Sequence, residues 1–115
     1  MTPAARLQAA IDILEGLNAS RLPADRFIRE FFRARRYAGS KDRASVAERV
    51  YAILRHRASF GWRMQSETPR ALAIASVLAE QGDLGALFSG GYGPAVLTDE
   101  ERAAIAAPAS EAPSH

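Results

Sequence analysis

Taken as a string of apolar and polar positions, the chain shows a helical period almost from its first residue. Leu7, Ala10, Ile11 and Leu14 recur at spacings of three and four, the mark of one buried helix face. Thr2 followed by Pro3 supplies the start, since a threonine hydroxyl caps free amides and proline suits the first helical turn. The pattern predicts a first helix over about residues 3–17, loosened at its end by Gly16 and Asn18. Pro23 opens a second helix that runs to about Tyr37 and is stopped by Gly39. A third carries Val46, Val50, Ile53 and Leu54 on one side. It starts at Ser40, ahead of Lys41 and Asp42, or at Ser45, where Glu48 completes a capping box. Gly61 interrupts the pattern, so residues 58–66 read as a short helix or an irregular turn.

Thr68-Pro69 repeats the cap-and-proline signal ahead of RALAIASVLAEQ, which is apolar on every face. A helix without a polar side belongs at the centre of a core. Gly82 ends it, and residues 82–97, with five glycines and one proline, read as an ordered loop with a short turn at Leu84 to Phe88. Thr98 and Glu101 form a capping box for a last short helix to about Ala106, stopped by Pro108. The tail PASEAPSH is small and polar, a composition that does not bury enough surface to fold. No segment alternates with a period of two. The expected class is therefore all-α: a compact bundle of about five helices with a Gly-rich loop, residues 1–107 as one domain and 108–115 as a disordered tail or linker.

Composition narrows the chemistry. The 115 residues suffice for one domain. No apolar run approaches the roughly 20 residues that span a bilayer, and no leader-like segment opens the chain, so a cytoplasmic monomer with no membrane partner is expected. The absence of cysteine removes disulfides, thiolate metal sites and cysteine nucleophiles together. His56 has no second ligand at metal-binding spacing, and FSGGYGP follows no strand, so it reads as a turn and not as a phosphate cradle. No nucleophile, base and orienting group assemble. No catalytic residue, metal or cofactor is expected in this chain.

Charge adds a direction. The net charge of +2 hides a basic front, net +7 over residues 1–70, and an acidic back, net −5 over residues 71–115. Fourteen of the fifteen basic residues are arginine, whose planar fork suits bidentate contact with phosphate. In RFIREFFRARRYAGSKDR, at 100° per residue, Phe27, Ile28, Phe31 and Phe32 share an arc of about 140°, and Arg26, Arg29, Arg33 and Arg36 share about 80° on the other side. The spacing makes a stripe roughly 15 Å long. Like charges at these spacings repel by a few tenths of a kcal/mol per pair, a cost that points to an external anion. Lys41, Arg49 and Arg55 extend the basic region as weaker candidates, while Arg35, on the apolar side, is expected to snorkel or to meet an internal acid. RNA backbone is the candidate partner. The plain alternative is a solvated helix face, which every amphipathic helix needs.

The segment SKDRASVAERVYAILRHRASFGWRM resembles a helix of NusB-like domains, through Asp42 and Arg43, then Val50 and Tyr51, then Leu54 and Arg55, with Trp62 as the later aromatic. The order from the first helix through LFSGGYGPAVLTDEERAAIAAP, about residues 4–107, is similar to the N-terminal region of bacterial Sun/Fmu-type RNA cytosine-5 methyltransferases. The resemblance implies an all-helical accessory domain that docks on ribosomal RNA and precedes a catalytic methyltransferase domain. In that family two cysteines and an S-adenosylmethionine site lie in the later domain. This chain holds neither, so it is not expected to methylate anything alone. The rival reading is a helical protein-interaction or structural domain, including a NusB-like antitermination module, whose basic face meets an acidic partner.

Overall fold

The computed structural model describes residues 1–107, and over them the chain is all-helical. Its elements are α1 (Pro3–Ala19), α2 (Ala24–Arg33), α3 (Ser40–Arg55), α4 (Arg57–Met64), α5 (Pro69–Ala79), the single turn α6 (Leu84–Leu87) and α7 (Asp99–Ala106). The expected tail, residues 108–115, lies outside the described residues.

Helix starts follow the local chemistry. Thr2 Oγ1 accepts the Ala5 N–H at 3.1 Å, and Thr68 Oγ1 accepts the Ala71 N–H at 3.2 Å. At α7 the box is reciprocal: Thr98 accepts the Glu101 N–H at 3.1 Å, and the Glu101 carboxylate accepts the Thr98 N–H at 2.8 Å. Each cap satisfies amides that have no partner inside the helix.

The core is built around α5, whose residues Ala71 to Val77 are all buried. It packs against α1, α3 and α4, so no polar face is left to show. Leu7, Ile11, Ile13 and Leu14 of α1 and Val46, Val50 and Ile53 of α3 close over it. Burying each such aliphatic side chain contributes about 1.5–3 kcal/mol, which makes the α1, α3, α5 contact the main source of stability.

Two boundaries differ from the expectation. First, α1 does not loosen at Gly16 but continues to Ala19. Gly16 is instead the seat of α2: a methyl group there would lie 2.2 Å from Cζ of Phe27. Second, α2 ends at Arg33 and not near Tyr37. The Arg35 N–H turns back to the Phe32 carbonyl at 3.0 Å, Ala38 is buried, and the Asp42 carboxylate captures the Gly39 N–H at 3.1 Å. These contacts terminate α2 a turn early and fix Ser40 as the start of α3.

Candidate nucleic-acid interface

On α2 the apolar face is shared by Ile28 and Phe32, both buried, and by Phe27 and Phe31, partly buried. Arg26, Arg29 and Arg33 occupy the opposite, exposed face. From Arg26 to Arg33 the row covers about 10 Å of helix. Arg29 lies 4.0 Å from Asp25 and Arg33 lies 3.4 Å from Glu30, with both arginine side chains about two-thirds exposed (67% and 68%). Exposed pairs of this kind contribute about 0–1 kcal/mol, so an incoming phosphate displaces them at little cost.

Arg36 is exposed but stands beyond the end of the helix, in the turn that leads to Tyr37. The single four-arginine helix stripe is thus three arginines on α2 and one on the following turn. Lys41 is exposed in the first turn of α3, and Arg55 is exposed at its last residue. Arg49 differs from the rest of the set. Its side chain is only 22% exposed, lies 2.8 Å from Glu80 and donates to Ser76 Oγ at 3.2 Å. That guanidinium ties α3 to the end of α5. Arg35 lies over the Phe31 ring, 3.6 Å from its centre, and donates to the Phe31 carbonyl at 3.0 Å.

Three arginines that sequence reasoning left without a role join distant parts of the chain. Arg6 meets Asp42 at 2.7 Å. With the Gly39 N–H it holds that carboxyl below the usual aspartate range. Arg63 donates to the Ala104 and Ile105 carbonyls at 2.9 and 2.8 Å, where the end of a helix collects partial negative charge. Arg70 grips Glu101 with two bonds of 2.7 and 2.9 Å and donates to the Ala95 carbonyl at 2.8 Å. It thereby lowers the Glu101 pKa. The separations of 25 to 42 residues explain why no local signal announced them.

On the Phe31 side of α2, away from the arginine row, the first half of α1, the end of α2 and the glycine loop enclose an open groove of about 540 Å³. Phe31, Arg35, Tyr37, Tyr92, Gln8 and Asp12 are among its walls. Among the described residues, no three or more metal-ligating side chains converge, and no helix is long and apolar enough to cross a membrane.

No protein-family model, curated protein or solved structure matches the chain. The functional reading therefore rests on the chemistry of this face.

Proposed function

We propose that this chain is an RNA-docking accessory domain that grips the RNA backbone and performs no chemistry itself. The observation that carries the reading is the row of Arg26, Arg29 and Arg33, continued by Arg36, held outward on a helix whose own carboxylates neutralise it weakly. Guanidinium forks in a row match phosphates in a strand, and each contact releases bound counterions. Lys41 and Arg55 add charge at the two ends of α3. Arg49 contributes least, because Glu80 and Ser76 already occupy its guanidinium.

The Sun/Fmu-like and NusB-like sequence features supply the setting. In it, the target is ribosomal RNA and the attached partner is an RNA 5-methylcytosine methyltransferase domain that binds S-adenosylmethionine. The part of this chain is to bring that domain to structured RNA.

A salt titration of RNA binding tests the proposal. Four phosphate contacts predict a log-log slope of about −3 to −4. Absence of RNA association even at low salt, together with protection of the α2 arginines on adding the catalytic domain, would transfer the basic face to protein interaction.

A further inference from the structure

The groove on the other side of α2 differs from the arginine row: Asp12 stands against Arg35, and the Met1 ammonium at its wall is already paired with Asp42 at 3.4 Å. Two tyrosines stand at its edges, Tyr37 at 73% and Tyr92 at 93% exposed. Solvent exposure of that extent for an aromatic ring buys no folding stability, since little surface is removed from water. Tyr92 is nonetheless presented by an anchored loop. On its two sides Phe88 and Pro94 are buried. The Gly90 N–H donates to the Pro94 carbonyl at 2.9 Å, and the Gly93 N–H donates to the Gly90 carbonyl at 3.1 Å. Gly90 and Gly91 take left-handed φ values of 84° and 65°, which glycine adopts without strain. The loop holds Tyr92 out on a short tether.

Inside the groove, the Arg35 guanidinium carbon lies 3.6 Å from the centre of the Phe31 ring, while Gln8 donates its amide to Asp12 at 2.8 Å. Asp12 keeps a second carboxylate oxygen free to accept, and the Gln8 carbonyl is a further acceptor. A carboxylate in the groove repels phosphate. Aromatic rims, a guanidinium plane and clustered acceptors instead match a flat, neutral group that carries N–H donors. A nucleobase with an exocyclic amine has that chemistry, and unpaired bases are what aromatic and arginine platforms stack.

We infer that the groove between Tyr37 and Tyr92 takes one unpaired, amine-bearing base of the RNA whose backbone lies along α2, an inference that rests on the RNA-docking reading. Arg36, exposed and next to Tyr37 at the groove's edge, binds the flanking phosphate, and Asp12 disfavours phosphate inside the groove. The domain then prefers a bulge, loop or single strand over a continuous duplex.

The test uses the full chain with two probes of about twelve nucleotides, a single-stranded oligoadenylate carrying one 2-aminopurine and a blunt duplex of equal length. The expected result is tighter binding of the single strand, with quenching of the 2-aminopurine. Tyr92→Leu should weaken that binding about tenfold and relieve the quenching, with the salt slope and duplex binding unchanged. Tyr92→Phe should restore both. Both tyrosines are exposed, so a melting curve identical to that of the parent chain certifies each variant as folded. If Tyr92→Leu and Tyr37→Leu leave affinity and quenching untouched while Arg29→Ala with Arg33→Ala weakens binding, the groove inference falls and backbone docking stands. If neither probe binds at low salt, the docking reading itself falls. If Tyr92→Leu alters sedimentation and not RNA binding, the groove seats a second copy of the chain, and the inference is overturned.

Discussion

Two groups of arginines divide this molecule. Those on α2, Arg26, Arg29 and Arg33, are exposed, and Arg29 and Arg33 find only carboxylates three or four residues away. Those behind, Arg63 and Arg70, reach across more than thirty residues of sequence to carbonyls and to a carboxylate that the fold has brought within 3 Å. The side chain is the same in both places. The difference lies in what surrounds it: the rear arginines are already satisfied, and the front ones are not. A count of basic residues therefore overstates the surface open to an anion, and Arg49 shows how a residue of the basic half can belong to the rear group.

The contrast can be broken most forcefully at Arg70. Replacing it by alanine removes both guanidinium bonds to Glu101, which keeps only the Thr98 N–H, and the donor to the Ala95 carbonyl. Unfolding free energy should drop by about 2 kcal/mol, with α7 amides losing protection from hydrogen exchange. Arg70→Lys should rescue little, because an ammonium lacks the fork that spans both carboxylate oxygens. A urea melt of each variant measures this.

Acid should loosen the same latch more gently. Arg70 depresses the pKa of Glu101 in the folded state. The bond therefore contributes fully above the unfolded glutamate pKa and is lost as pH falls through the lower, folded value. From about pH 4.3 downward, the parent chain should lose stability faster than Glu101→Gln, and their melting curves should converge. Asp42, depressed by Arg6 and the Gly39 N–H, acts in the same direction and is present in both proteins.

The smallest effect on stability is expected at the front. Arg29→Ala combined with Arg33→Ala should change unfolding free energy by less than about 0.5 kcal/mol, yet reduce the salt slope of RNA binding by roughly 1.5–2. A large melting shift in that variant would erase the distinction between the two groups.

Much of the architecture is written in local chemistry. Thr2-Pro3, Thr68-Pro69 and the Thr98 to Glu101 box each act within four residues, so the starts of α1, α5 and α7 were legible from the chain alone. The all-apolar run of α5 likewise specified its central place. What escaped depends on tertiary packing or on choosing between two local starts. Gly16 looks like a helix breaker until Phe27 is found against it, and the early end of α2 is imposed by Asp42 and the burial of Ala38. Of the candidate arginines, the exposure of Arg26, Arg29 and Arg33 followed from the helical wheel. Arg36 left the stripe with the helix end, and the occupation of Arg49 required Glu80. The pairing of Tyr37 with Tyr92 around one groove joins segments 55 positions apart. A tyrosine isolated among glycines was its only trace.

The burial of α5 on every side has a consequence for how the molecule opens. Its residues Ala71 to Val77 lie buried under α1, α3, α4 and α6. Their amides should exchange only through global unfolding, whereas α7, held largely by side-chain bonds at its edge, opens on its own. The chain thus carries an internal clock of two hands. The slow helix reads the stability of the whole, and the fast one reads the latch, so a single exchange experiment separates damage to the fold from release of its last helix.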